Sequence, residues 1–145
     1  MREITAEEVP KLRMCIEALS SYHNGVAANF KGIYPIRPYD KTLANFADAL
    51  NSQSSRIAVT EKDGVITGFC KIDLAAPTGK LDYLIVLNKY RGQGYGKKLM
   101  DWAMSAFKTC GITSIEVKVI CGNPAQRLYE QYGFKPQAQI LLYRT

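Results

Sequence analysis

The most constraining stretch of this chain is residues 81–109. An apolar run, Leu81 to Leu87, leads through Arg91-Gly92-Gln93-Gly94-Tyr95-Gly96-Lys97-Lys98 into a helical pattern. The run is nearly continuous, which predicts a strand covered on both faces, and Asp82 is its one charge. From about Tyr95 to Thr109, Leu99, Trp102, Ala103, Ala106 and Cys110 recur at helical spacing, and Gly111 supplies the stop. Ser114 to Ile120 then alternates, with Ile115, Val117 and Val119 on one side and Glu116 and Lys118 on the other. The unit reads strand, helix, strand. A right-handed crossover would lay its two strands parallel in one sheet.

Around this unit, Arg2 to Thr5 reads as a short strand. Glu7 to Ser21 reads as a helix with Val9, Leu12, Ile16 and Leu19 inward and Thr5 as its cap. Asn24 to Tyr39 is broken by Asn24-Gly25, Lys31-Gly32, Tyr34-Pro35 and Arg37-Pro38 and predicts a loop carrying Phe30, Tyr34 and Tyr39. Asp40 opens a second helix with Leu43, Phe46, Ala47 and Leu50 on its apolar face. Arg56 to Thr60 and Val65 to Leu74 flank Lys62-Asp63-Gly64 as a hairpin. Asn123-Pro124 starts a short helix through Tyr132, Gly133 ends it, and Ile140 to Arg144 reads as a final strand.

The length, 145 residues with 47% hydrophobic and 22% charged, fits one domain over residues 1–145. No segment approaches the roughly 18 apolar residues of a membrane span, and Glu3, Glu7 and Glu8 stand where a signal peptide would be apolar. A soluble cytoplasmic protein with no membrane partner is expected. Cys15, Cys70, Cys110 and Cys121 have no C-x-x-C spacing and read as reduced core residues. His23 is the only histidine, so no multi-histidine metal site exists and no metal is expected. The net charge of +6 lies wholly beyond residue 50, since residues 1–50 hold six basic and six acidic side chains. Lys89, Arg91, Lys97 and Lys98 form the local cluster, which points to an anionic ligand.

The glycine turn fits neither common phosphate fingerprint. A dinucleotide G-x-G-x-x-G would need glycine at position 97, or Gly or Ala at 99, where Lys97 and Leu99 stand. A Walker A loop would need glycine at 91 and Ser or Thr at 98. What remains is a strand entering a turn of alternate glycines that opens into a helix N-terminus. There bare main-chain N–H groups, the helix dipole and cationic neighbours suit a pyrophosphate.

The pattern R-x-x-G-x-G at Arg91, Gly94 and Gly96 resembles the acyl-CoA-binding motif of the GNAT superfamily of N-acetyltransferases. Ala125 to Phe134 resembles that family's second signature, A-x-x-L-Y-x-x-x-G-F, preceded by Asn123, and the order of elements matches along nearly the whole chain. The resemblance implies an α/β (α+β) fold, a central mixed twisted sheet of about six strands flanked by about four helices. It implies transfer of acetyl from acetyl-CoA to a primary amine by direct attack on the thioester.

In that reading Tyr129 assists the departing thiolate, and Asp82 is the first candidate for the base, with His23 the second. Backbone amides near Ile85, Val86 or Leu87 meet the thioester carbonyl. Arg91, Gly92, Gln93, Gly94, Tyr95, Gly96, Lys97 and Asn123 bind the cofactor. Asn123 lies six residues before Tyr129, where many members have seven. Only eleven residues follow Phe134, so the last strand is either single or shared in a homodimer. Cys121 has no adjacent cation to activate it, which argues against an acyl-cysteine route. A small-molecule or peptide amine is the expected partner, and no acceptor is favoured. A non-catalytic acyl-CoA sensor is the alternative. A small basic nucleic-acid binder is disfavoured because the basic residues cluster around glycines rather than along a helix face.

Overall fold

Five strands form one sheet in sequence order: β1 (Arg2–Glu3), β2 (Ser55–Lys62), β3 (Val65–Asp73), β4 (Thr78–Val86) and β5 (Ser114–Val117). The computed structural model describes residues 1–75 and 77–145. The first four strands pair antiparallel, and β4 and β5 pair in parallel, as the crossover requires. Four α-helices flank them: α1 (Arg13–Val26), α2 (Tyr39–Asn51), α3 (Tyr95–Thr109) and α4 (Gln126–Gln131).

Alternation along the strands builds two cores. Ile57, Val59, Phe69 and Ile85 face α1, α2 and the short 3-10 helix Ala6–Leu12, meeting Val9, Leu12, Ile16 and Phe46. Their neighbours Ala58, Cys70, Ile72 and Leu81 point the other way, onto Leu99, Met100, Ala103 and Phe107 of α3 and Tyr129 of α4. Each fully buried Phe or Leu here is worth about 1.5–3 kcal/mol.

Several expectations are corrected. The first helix divides at Pro10, which has no N–H to give: Ala6–Leu12 is 3-10 and α1 begins only at Arg13. Thr5 makes no side-chain cap bond. α1 runs on through Asn24-Gly25, because the Asn24 side chain serves the following loop instead of breaking the helix. It accepts from the amides of Gly32 (2.9 Å) and Tyr34 (3.1 Å) and donates to the Tyr34 carbonyl (2.9 Å). Pro38, not Asp40, occupies the cap of α2, and Asp40 lies in its first turn, where a carboxylate suits the positive end of the helix.

β4 is not covered on both faces, since Thr78, Lys80 and Asp82 are exposed. The buried stripe of α3 is rotated toward Met100 and Phe107, and this leaves Cys110 at the surface. Cys121 is exposed too, so only Cys15 and Cys70 are core residues. Ile140–Arg144 forms no strand. It has no sheet neighbour, and Ile140, Leu141 and Tyr143 are 75%, 91% and 84% exposed.

No described helix is long and apolar enough to cross a membrane.

One close approach sets the spacing of the central strands. A Cβ on Gly68 of β3 would lie 2.4 Å from the Ile85 carbonyl oxygen and 3.0 Å from Val86 Cα, both main-chain atoms that cannot step aside. Gly68→Ala should therefore cost about 2 kcal/mol and lower the thermal midpoint by roughly 4–8 °C. Gly25→Ala, in the exposed turn of α1 with nothing within 4 Å, should stabilise by about 0.5–1 kcal/mol. Paired thermal melts check both, and equal shifts of one sign would contradict the packing difference.

Candidate active site

The pairing of β4 with β5 runs only from Thr78↔Ser114 to Leu81↔Val117. Beyond that point the two strands part, while β4 continues to Val86 against β3 alone. The main-chain groups left free on the β4 edge follow from alternation. The Leu87 amide donates to the Thr67 carbonyl (2.8 Å), so Leu87, Ile85 and Tyr83 turn their polar groups toward β3. Leu84 and Val86 turn theirs into the opening. Of the amides expected to meet a carbonyl, that of Val86 therefore faces the opening, as does that of Leu84, while those of Ile85 and Leu87 face β3. The sequence could not distinguish them without the register.

At the end of β4 the chain makes a short 3-10 turn, Asn88–Tyr90, and enters the glycine turn. Gly92 and Gly94 hold φ of 79° and 85°, left-handed values that cost glycine little, and Gly94 is the cap of α3. The first amide in the α3 ladder is that of Lys98, donating to the Gly94 carbonyl (3.1 Å). Among the described residues the amides of Gln93, Gly94, Tyr95, Gly96 and Lys97 reach no main-chain carbonyl. They open at the positive end of a 15-residue helix with no acid in its first turn. No atom within 4 Å would meet a side chain at Gly92 or Gly94, and at Gly96 only Val86 Cγ2 lies near, at 3.9 Å.

The cations around the turn are arranged unequally. Arg91 folds back, its Nε donating to the Val86 carbonyl (3.0 Å) and its guanidinium lying 4.5 Å over the Tyr22 ring. Lys97 pairs with Asp101 (2.8 Å), which also accepts from the Tyr132 hydroxyl (2.6 Å). Burial and that bond push the Tyr132 hydroxyl up to about 12. Lys98 lies over the Tyr95 ring.

Tyr129 projects from α4 into the α3-side core, 7% exposed, with its ring edge-on to Phe134. Burial, then the neighbouring Cys70 and Tyr22, raises its hydroxyl well above the ordinary phenol range, so it keeps its proton. Asn123 Oδ1 accepts from the Ala125 amide (2.9 Å), turning the chain into α4, and lies 3.5 Å from the Tyr22 hydroxyl. Tyr22, the first residue of the Tyr22–Tyr39 segment that the resemblance assigns to the acceptor, thus lies against Arg91 and the β5–α4 loop together.

Asp82, the other predicted catalytic residue, is the bulged residue of β4, just past the last β4–β5 pair. Its Oδ2 accepts from Lys71 Nζ (2.6 Å), and Lys71 also donates to Asp73 (2.6 Å). Lys71 is 5% exposed. Burial alone would lower its pKa, but the bonds to Asp73 and Asp82 more than reverse that, so the ammonium stays charged. Lys71 and Asp73 in the Val65–Leu74 run, with Asp82 in the next, were the sequence trace of this cluster.

His23 is half-buried, edge-on to Tyr34 at 5.4 Å, and burial lowers its pKa. Cys121, on the exposed β5–α4 loop, gives its carbonyl to the Ala28 amide (2.8 Å).

Residues 53–136 match the acetyltransferase (GNAT) domain, more than half of the chain, and the chain belongs to that family of acyltransferases. It is 27% identical over 92 residues to a Bacillus subtilis (strain 168) protein that carries the provisional name ribosomal protein bS18-alanine N-acetyltransferase. That match covers 63% of this chain and 61% of the relative's length. Two solved structures share the fold over 99% of this chain. The GCN5-related N-acetyltransferase of Ralstonia eutropha JMP134 is 18% identical at a TM-score of 0.80, with 96% of its chain covered. A predicted acetyltransferase from Clostridium acetobutylicum, solved with acetyl-CoA, is 16% identical at 0.76, with 94% covered.

A histidine whose folded pKa lies below its unfolded value adds stability that is present above pH 6.5 and is lost as pH falls through the folded pKa. Denaturant unfolding should show stability declining as pH drops below about 6.5. His23→Gln should flatten that limb, and an unchanged slope in the variant would assign it elsewhere.

Proposed function

We propose that residues 1–145 act as one N-acetyltransferase domain, transferring acetyl from acetyl-CoA to a primary amine by direct attack on the thioester. One observation carries the reading: among the described residues two sets of unpartnered main-chain donors follow each other along the chain, one on the edge of β4 at Leu84 and Val86 and one in the amides of Gln93–Lys97. The first set suits an extended amide-bearing arm and a thioester carbonyl, the second a diphosphate. Family membership and the acetyl-CoA in the Clostridium structure support it.

Acetyl-CoA supplies the acetyl group already activated as a thioester. The protein then has three tasks. The amides of Val86 and Leu84 stabilise the charge that develops on the carbonyl oxygen. Tyr129, kept protonated by burial, donates to the sulfur as the C–S bond breaks and the electron pair leaves with it, while the new N–C bond forms. Asp82 holds the incoming ammonium, whose first proton passes to water; the second passes to water as the amide forms, and a proton from water restores Tyr129. At pH 7 an alkylammonium lies about 3.4 units from its pKa, so delivering free amine costs about 4.6 kcal/mol. Arg91, Gly92, Gly94 and Gly96 shape the phosphate seat, and Lys97 adds charge to it. Asn123 orients the start of α4 and so the placement of Tyr129. Free cysteines are consistent with a cytoplasmic site of action.

Tyr129→Phe should lower turnover about 100-fold while sparing CoA affinity, and Arg91→Ala should weaken CoA binding about tenfold. Thiol release with an amine panel and calorimetry with CoA measure the two. Unchanged turnover in Tyr129→Phe would remove its role. CoA binding without transfer to any amine would favour the sensor, and salt-sensitive DNA binding without CoA binding would overturn the reading.

A homodimer is part of the same proposal. Among the described residues the outer edge of β5 has no strand beside it, and Ile140–Tyr143 is an exposed apolar segment of strand-forming residues. The tail of a second copy laid along β5 would cover both. Light scattering should give a dimer that becomes monomeric on removal of residues 139–145, and a monomeric full chain would refute the exchange.

A further inference from the structure

Resting on the acetyl-transfer reading, a second feature narrows the acceptor. Beside the point where β4 leaves β5 lies a cleft of about 90 Å³ lined by Arg37, Thr42, Phe46, Lys71, Asp82 and Tyr83, with Asn45 at its rim. Four segments build it: the loop after α1, α2, β3 and β4. Its volume is a fraction of that of a whole ligand pocket, so it takes the head of a molecule rather than all of it.

The charges in this cleft are separated. The floor holds the Lys71 ammonium between Asp73 and Asp82, and Ser55 also donates to Asp73 (2.6 Å). One cation against two carboxylates leaves a single negative charge there. Phe46 closes one side, with Lys71 Nζ 5.3 Å from its ring centre. Lys71 uses Asp82 Oδ2, and Oδ1 has no partner among the described residues. Arg37 lines the same cleft, and no carboxylate of the described residues lies within ion-pair distance of its guanidinium. Asn24 fixes the loop that carries Arg37 through its three bonds to Gly32 and Tyr34.

We propose that this cleft selects a primary amine that itself carries a carboxylate. Asp82 Oδ1 takes the ammonium, and the planar Arg37 fork takes the carboxylate in two parallel bonds. A peptide N-terminus, whose neighbouring group is a neutral amide, lacks the second contact. The acceptor is then a small amino acid rather than a protein.

The test compares matched amines in thiol release with acetyl-CoA: β-alanine against propylamine, 4-aminobutanoate against butylamine, and a peptide amide with N-terminal alanine. The kcat/KM of each acid should exceed that of its neutral partner by roughly 10- to 100-fold, the scale of a charge-assisted pair. Arg37→Gln should bring the ratio within about threefold of one. Because the readout is a ratio, a general loss of folded enzyme cancels.

Equal use of the neutral amines, or better use of the peptide, would overturn the cleft assignment and leave acetyl transfer standing. Failure to bind CoA would instead strike the underlying reading. If CoA binds and no amine turns over, calorimetric titration of β-alanine into the CoA-loaded protein decides. Binding that weakens about tenfold in Arg37→Gln supports the cleft, and no binding overturns it.

Discussion

The site depends on the place where two parallel strands stop pairing. Up to Leu81 and Val117 the sheet is continuous; past them β4 has a neighbour on one side only. An unpaired strand edge is ordinarily a hazard, since its N–H and C=O groups invite another chain. Here the edge is short, and after the bonded turn from Leu87 to Arg91 a second set of free amides follows in the glycine turn. The parting of β4 and β5 thus turns sheet geometry into a row of donors, and helix α3 adds the second set by presenting its own unsatisfied N-terminus.

Charge placement complements this backbone frame. Lys71 sits nearly buried in a central strand, a costly position that its two carboxylate partners make tolerable. The same pairing pins Asp82, which as a bulged residue would otherwise be less constrained. On the opposite side of the splay the cations are only partly committed: Arg91 is held by a carbonyl and a ring, and Lys97 by Asp101. The Lys71 cluster is thus held by internal ion pairs, whereas the glycine turn keeps its cations at the surface.

Much of this was legible in the sequence, and the misses have physical causes. The strand, glycine turn and α3 were readable because hydrophobic period and glycine spacing are local signals, and the first of the two GNAT motifs lay in the same stretch. Pro10 splitting the first helix was readable in principle, since a proline inside a helical pattern removes a donor. The apolar period across it was the stronger signal and prevailed. The rotated face of α3 was missed because Met100 and Phe107 lie adjacent to the chosen stripe, and only packing against β3 and β4 selects between them. Which amides of β4 are free is a matter of register with β3, information that resides in two strands at once. Lys71, Arg37 and Tyr22 come from separate elements, and no spacing along the chain announces that they converge on the site.

Tyr22 has a wider mechanical meaning. Its ring supports Arg91 and its hydroxyl lies near Asn123, while Asn24, two residues on, organises the loop bearing Arg37. The last turns of α1 therefore tie together the start of the glycine turn, the start of α4 and the loop bearing Arg37, so one helix end fixes three segments that are far apart along the chain.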